Sequence, residues 1–212
     1  CVTFISIWII WVVLHATEGE KMSPAAQEVL AFWFAEANMP RWFDADAAFD
    51  EQIHDRFGRL LDAAARGALD EWKTTSLGWL AWLIVLDQFS RNIHRHDPQA
   101  WAQDARAQEV ALSGIARGDD RQLPPLQRVF AYLPLEHAED MALQQRSVAL
   151  FEALCAEAPL EHRERFEGFL DYARRHREVI ARFGRFPHRN ALLGRASTSE
   201  EMFYLAGPNA GV

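Results

Sequence analysis

One segment near the middle of the chain is apolar on almost every side, and it constrains the fold more than any other. This segment runs from Leu77 to Phe89 and reads LGWLAWLIVLDQF. A helix that is apolar all round must be surrounded by other elements, so we expect it to form the centre of the protein. Apolar residues elsewhere recur at three- and four-residue steps, as at Phe49, Ile53 and Phe57. Such spacing predicts amphipathic helices packed around that centre.

Capping residues and helix breakers divide the rest of the chain into further helices. Ser23 and Pro24 predict a helix start, whereas Gly67 predicts a helix end. The other boundaries predict five further helices: Asp97-Pro98 to Gly118, Pro124-Pro125 to an interruption at Pro134, Glu139 to Glu157, Leu160 to Phe183, and Ser199 to Leu205. Ser197 and Glu200 have the spacing of a capping box at the start of the last of these helices. No convincing strand pattern occurs after Met22, so we predict an all-α fold, an antiparallel helical-hairpin bundle.

Composition limits the domain count, the compartment and the partners. A chain of 212 residues that is 50% hydrophobic can bury the core of a single domain without disulfides. Its two cysteines are too few for a disulfide framework or a cysteine-based zinc site, so we expect a reducing, cytoplasmic location. A net charge of −8 gives no general attraction to nucleic acid or anionic lipid, so we expect no nucleic-acid partner.

The first 21 residues differ from the remainder of the chain. Val2 to Leu14 is a run of 13 almost entirely apolar residues, whereas a membrane-spanning helix needs about 20. The run lacks the preceding basic region and the small-residue cleavage pattern of a secretory signal. Because Met22 opens a complete helix start, we predict that residues 1–21 are a non-native or hydrophobic extension and that residues 22–212 form one domain. A genuine membrane tether is the alternative.

Two stretches contain polar groups that helix packing does not require. LDQFSRNIHRH at Leu86–His96 and RFGRFPHRNALLGR at Arg182–Arg195 each contain an Arg-Asn step next to phenylalanine. Arginine and asparagine are costly to bury unless their donors are paired. The spacing of Asp87 and Arg91 predicts an ion pair along one helix face. The first Arg-Asn step equally suits capping of the central helix, whose C-terminal carbonyls favour a cation.

A third polar group, His137 with Glu139 and Asp140, follows the predicted break at Pro134. A histidine with two acids can bind a metal ion or act in acid–base catalysis. The spacing matches no strong metal-binding motif, so we predict neither a metal ion nor a cofactor. Capping of the helix that follows them is the favoured interpretation of Glu139 and Asp140.

These groups lead us to expect one polar pocket that binds a small anionic ligand or a peptide carboxylate, because arginine suits the two oxygens of such groups. A hydrolase is one alternative, with His137 or His188 as general base and Glu139 orienting it. A protein–protein scaffold is another, so whether the chain is an enzyme stays open. The candidate ligand-binding residues are Asp87, Gln88, Arg91, Asn92, His137, Glu139, Asp140, His176, Arg185, His188, Arg189 and Asn190.

Several segments, taken together, are similar to one known family. They are VLAFWF, PRWF, LDQFSRN, FAYLPLEHAED, QQRSVALFEAL and RRHREVIARFGRFPHRNALLGRASTSEE, between about Met22 and Leu205. In this order they resemble the bacterial domain of unknown function 924. The resemblance implies an all-α fold grouped with tetratricopeptide-like helical domains, and it implies no agreed activity. Ser90 and Ala138 stand where family members often have proline and serine.

The start-site interpretation makes a testable prediction. A chain that begins at Met22 should have the same melting temperature as the full chain, or should stay in solution at a higher concentration. The reason is that exposed apolar residues cost solubility, and the helix start at Ser23 is complete without them. Thermal unfolding followed by circular dichroism compares the two chains. A loss of several degrees on deletion would show that residues 1–21 belong to the fold.

Overall fold

A computed structural model describes residues 22–207, in which all regular structure is helical, so the all-α prediction is confirmed. The helices are α1 Pro24–Trp33, α2 Ala47–Ala65, α3 Ser76–Leu83, α4 Ser90–Ile93, α5 Asp104–Arg117, α6 Pro125–Glu136, α7 Met141–Glu157, α8 Arg163–Phe183 and α9 Ser199–Leu205. Short 3₁₀ turns at Met39–Arg41, Asp70–Thr74, Pro98–Trp101, Asp119–Gln122, Leu160–His162 and Pro187–Arg189 lie between them. The predicted extension at residues 1–21 lies outside the described residues. Within residues 22–207, no helix combines the length and apolar content needed to cross a bilayer.

The predicted central helix is present and buried, but it is not a uniform α-helix. Helix α3 continues through a π-helical segment, Ile84–Phe89, into α4. In a π segment each N–H bonds to the carbonyl five residues back, and such segments often occur at functional sites. This one carries two buried polar residues, Asp87 and Gln88. The sequence pattern did not predict the π geometry.

Aromatic side chains fill the space between the first helices and the centre. The Trp33 ring stacks on Trp42 at 6.0 Å and meets Phe130 edge-on at 5.5 Å. The Phe57 and Phe89 rings stack at 4.7 Å, which joins α2 to the π segment. Such pairs add to the energy of burial itself. Helices α6, α7 and α8 pack next to one another in chain order, and the tetratricopeptide-like grouping stays a prediction.

Two predicted boundaries are wrong in detail. Pro134 does not interrupt its helix: it lies inside α6, two residues before the end, so the helix lacks one backbone hydrogen bond there but still continues to Glu136. The helix expected from Asp97-Pro98 is divided, because the Pro98–Trp101 turn ends before α5 begins at Asp104.

The capping box of the last helix is displaced by one residue. Thr198 is the N-cap and Glu201 occupies the third position, instead of Ser197 and Glu200. The Ser197 hydroxyl instead accepts a hydrogen bond from Asn190 at 3.1 Å. Tertiary contacts therefore decide between two neighbouring caps that the sequence fits equally well.

The contact between α3 and α5 gives a stability prediction. A Cβ atom at Gly114 would overlap the indole of Trp79, whose N–H donates to the Val110 carbonyl at 2.8 Å. Gly114→Ala should therefore lower the free energy of unfolding by about 1–3 kcal/mol, measured by urea denaturation.

Gly168→Ala is the matched control in α8. A Cβ atom there meets nothing within 4 Å, so alanine should raise the free energy of unfolding by about 0.5–1 kcal/mol through its helix propensity. Equal effects of the two substitutions would contradict the proposed overlap with Trp79.

Candidate functional site

The buried carboxylate of Asp87 lies at the centre of a polar network. Its side chain is 1% exposed. Its Oδ1 lies 2.8 Å from Nδ1 of His137 and 2.9 Å from Nη1 of Arg91, and its Oδ2 accepts from Nε2 of Gln88 at 2.6 Å. Burial alone would raise the pKa of Asp87, but Arg91 and His137 outweigh it and hold that pKa well below its usual range. The predicted Asp87–Arg91 pair is therefore present, and the carboxylate is ionised.

Asp104, at the start of α5, connects the two Arg-Asn steps. The Nη2 atom of Arg91 donates to Oδ2 of Asp104 at 3.1 Å, and Nη1 of Arg189 donates to the same oxygen at 3.1 Å. The Nη2 atom of Arg189 also donates to the backbone carbonyl of His137 at 3.0 Å. Together with Asp87, Gln88, Arg91 and His137, these residues form what we call the Asp87 network. The sequence reasoning missed Asp104, which carried no local signal.

Arg189 is the most deeply buried cation of this network. It is 6% exposed, and its guanidinium lies 4.5 Å from the ring centre of Phe186 and 5.5 Å from that of Trp101. Burial and the nearby Arg91 lower the pKa of Arg189 to about 10, so it remains a cation at neutral pH. Its Nε atom is out of solvent and has no acceptor among the described residues.

His137 is neutral and held in one orientation. Burial and Arg91 lower its pKa below the ordinary 6.5, although Asp87 opposes this. Because ionised Asp87 can only accept, the Nδ1 atom of His137 must carry the proton, and the Nε2 atom has a free lone pair. No hydrogen bond recorded within residues 22–207 uses that Nε2 atom, and the side chain is 15% exposed.

A second buried acid, Glu136, lies beside His137 with His176 as its partner. The Nδ1 atom of His176 donates to the Tyr172 carbonyl at 2.9 Å and lies 3.2 Å from Oε1 of Glu136. Burial raises the pKa of Glu136 to about 8, and burial together with His137 lowers that of His176 to about 3. At neutral pH Glu136 is therefore protonated and His176 is neutral, and the two groups titrate as a coupled pair. Glu136 was not predicted, because a glutamate in a helix gives no sequence sign of burial.

Glu139 has a different role from the two that the sequence suggested. Its carboxylate accepts from both Nη atoms of Arg195, at 2.6 and 2.8 Å, and from the backbone N–H of Phe186 at 2.8 Å. It therefore neither orients His137 nor caps α7, because the Arg182–Arg195 stretch binds it instead. Asp140 does cap α7, as expected, through the N–H of Leu143 at 2.9 Å.

The remaining candidates lie around the network or away from it. Burial and Arg189 lower the pKa of His188 to about 4, and its ring lies 5.7 Å from that of Phe186. Asn190 accepts from Arg195 at 2.9 Å. Asn92 instead donates to Asp50 at 2.7 Å, and Arg185 pairs with Glu201 at 2.7 Å. The recorded hydrogen bonds of Asn92 and Arg185 therefore do not join them to the Asp87 network, and the single pocket stays a prediction. Within residues 22–207, no three His, Cys, Asp or Glu side chains are arranged to hold a metal ion.

Fold and site together define an all-α protein with a buried carboxylate–histidine–arginine network. Residues 29–209 match the family described as "Bacterial protein of unknown function (DUF924)", and the chain belongs to this family. The solved structure of ATU0120, a protein of unknown function from Agrobacterium tumefaciens, is 42% identical with a TM-score of 0.76, and the match covers 85% of this chain and 96% of that one. A comparison with curated proteins finds no match. The resemblance seen in the sequence is thus confirmed, and any activity has to be argued from geometry.

The Glu136–His176 pair makes stability depend on pH. Between about pH 6.5 and 8 the folded pair holds a proton that an unfolded glutamate, with its ordinary pKa of 4.5, has lost. Stability should therefore fall by about 1 kcal/mol per pH unit across this window. Below pH 6.5 the lowered pKa values of His176 and His188 act in the opposite direction.

Glu136→Gln removes the titrating group and should abolish this slope, as measured by urea denaturation at several pH values in the window. Glu152→Gln is the control, since Glu152 pairs with Arg174 at the surface, and it should keep the wild-type slope. Equal slopes for the wild type and Glu136→Gln would contradict a proton held by this pair.

Proposed function

We propose that this protein is a hydrolase in which His137 is the general base. The observation that carries the proposal is the 2.8 Å contact between Nδ1 of His137 and the buried, ionised Asp87. That contact leaves the Nε2 lone pair of a neutral imidazole for a substrate or a water molecule. A general base needs the correct protonation state near neutral pH and a fixed direction, and both features support this role.

Asp87 is the positioning residue in this scheme. It fixes the tautomer of His137 and would stabilise the imidazolium that forms when Nε2 takes a proton. Arg91 keeps Asp87 ionised by lying 2.9 Å from the same carboxylate oxygen. The hydrolase alternative drawn from the sequence gave this orienting role to Glu139; the distances favour Asp87 instead.

Arg189 supplies the electrophilic side of the proposed site. Arg189 is a buried cation, and its Nη2 atom donates to the backbone carbonyl of His137. A cation held close to the proposed base can stabilise negative charge that develops on a carbonyl oxygen. His137 would remove a proton from water, the resulting hydroxide would attack an ester or amide carbon, and the leaving group would take the proton back from His137.

Binding of an anion without catalysis is less well supported. The guanidinium groups of Arg91, Arg189 and Arg195 already pair with Asp104 or Glu139, and Arg185 pairs with Glu201. An incoming anion would have to displace an internal carboxylate, which is costly for a buried pair. The scaffold alternative predicts an exposed apolar groove. The exposed large apolar side chains among the described residues lie instead on five separate segments of the chain: Phe43, Leu160, Tyr172, Leu192 with Leu193, and Met202 with Phe203.

The proposal predicts a hydrolytic activity that depends on His137. A screen of small esters, amides and phosphoesters should identify a substrate whose kcat/KM rises with pH through an apparent pKa below 6.5 and is level above it. His137→Gln should lower kcat by about a hundredfold to ten-thousandfold, because the base is lost.

His54→Gln is the matched control. His54 is also a histidine next to an aspartate, with Nδ1 3.4 Å from Asp55, but its side chain is 64% exposed and lies outside the network. This control should keep wild-type kinetics. The proposal is wrong if activity survives in His137→Ala, or if no member of the screen is hydrolysed.

A further inference from the structure

One side of helix α8 is open to solvent although it carries aromatic side chains. Four residues at the spacing i, i+3, i+4 and i+7 form this α8 stripe: Arg165, Gly168, Phe169 and Tyr172. Tyr172 is 56% exposed, and Phe169 is half-buried. One turn further along the same side, His176 packs against Phe186 at 5.5 Å. The open part of the stripe therefore ends at Tyr172.

An exposed phenylalanine from the loop between α1 and α2 widens the α8 stripe. The Phe43 ring is 59% exposed and meets the Phe169 ring edge-on at 6.2 Å. On its inner side it stacks on the buried Phe130 at 6.2 Å, which holds it in place. Phe43, Phe169 and Tyr172 thus form an aromatic surface on the outside of a helix, and this surface is not a groove.

Gly168 has no structural reason within the described chain. Glycine in a helix interior is less favourable than alanine. Its φ is not positive, and within residues 22–207 no atom outside its own stretch of helix lies within 4 Å of the place a Cβ would take. Neither backbone conformation nor internal packing therefore requires glycine here. What glycine provides is a gap in the helix surface next to Phe169, into which a side chain of another molecule can pack.

Arg165 is a cation for which no carboxylate partner is recorded among the described residues. Its guanidinium lies 5.7 Å from the ring centre of Trp42 and 6.0 Å from that of Phe169. Burial lowers the pKa of Arg165, and no neighbouring acid opposes this shift. By contrast Arg175, on the same helix, pairs with Asp171. Arg165 therefore keeps its charge and its aromatic-facing plane available to a second molecule.

We propose that the α8 stripe is the contact surface of a two-fold dimer of this chain. With the two α8 helices antiparallel and the axis between positions 168 and 169, position 169 of one copy faces 168 of the other, and 165 faces 172. Phe169 then fills the gap at the partner subunit's Gly168, and the guanidinium of Arg165 lies on the ring of the partner subunit's Tyr172.

The stripe is complementary to itself, which favours a second copy over a different protein. Its large residue faces its smallest one, its cation faces an aromatic ring, and symmetry forms each contact twice. No residue of the Asp87 network takes part, so this surface is independent of the proposed hydrolase.

The size of the surface predicts a weak and reversible dimer. An aromatic side chain can bury about 150–250 Å², and Phe43 and Tyr172 are each more than half exposed. Together with the rest of the stripe, the two copies would bury about 1,000 Å², the lower limit for a specific interface. We expect a dissociation constant in the micromolar range. Such a dimer dissociates in a dilute unfolding experiment, so the effect predicted above for Gly168→Ala is that of the single chain.

Sedimentation velocity of the full chain from about 1 µM to about 300 µM tests the proposal. We expect a reversible change from the mass of one chain to that of two. Gly168→Leu closes the gap and should weaken the association by about a hundredfold, and Arg165→Gln should weaken it by about tenfold. Both positions are exposed on a helix, and circular dichroism checks that each variant folds. Residues 1–21 are the same in every variant, so association through them would not change.

Gly58→Leu and Arg163→Gln are the matched controls. Gly58 is a glycine inside α2, where a Cβ meets only the His54 ring, at an ordinary 3.9 Å. Arg163 is exposed two positions before Arg165 and so faces another side of α8. Both controls should dimerise as the wild type does. The proposal is overturned if the chain stays a monomer throughout, if it forms assemblies larger than a dimer, or if Gly168→Leu or Arg165→Gln associates as tightly as its control.

Discussion

The arrangement of the second half of this protein depends on the burial of one ionised carboxylate. Asp87 lies on the central helix at 1% exposure, where an uncompensated negative charge would cost several kcal/mol. Arg91 compensates it from one turn further along the same helix, and His137 from the end of α6. The contact with His137 therefore fixes how the α6–α7 junction meets the central helix.

The charge pairing extends from Asp87 to Arg189, because Arg91 and Arg189 donate to the same carboxylate oxygen of Asp104. Arg91 binds Asp104, Asp104 binds Arg189, and Arg189 returns to the backbone carbonyl of His137. Each ion is thus held by at least two partners from different parts of the chain. A network connected in this way resists rotation of any single side chain, which is what a general base requires of its surroundings.

Burial has opposite consequences for the two acids near His137. Asp87 keeps its charge because Arg91 pairs with it and neutral His137 donates a hydrogen bond to it, whereas burial raises the pKa of Glu136 to about 8. Two carboxyl groups in neighbouring environments thus differ in protonation at neutral pH. Sites of acid–base chemistry commonly have this property, because pKa values pushed apart allow separate donor and acceptor roles.

The sequence by itself determined the helical class, most of the helices and the Asp87–Arg91 pair, because these depend on residues a few positions apart. It also identified the family, from several segments taken together. The tertiary structure decided which charged groups meet. Arg189 and Asp104 are separated by 85 positions and Asp87 and His137 by 50, and no local pattern encodes such pairings. For the same reason the partner of His137 is Asp87 and not the nearby Glu139, and the buried Glu136 stayed hidden among helical residues. A side chain's burial and its opposite charge are set by packing between distant segments, and that packing exists only in the folded chain.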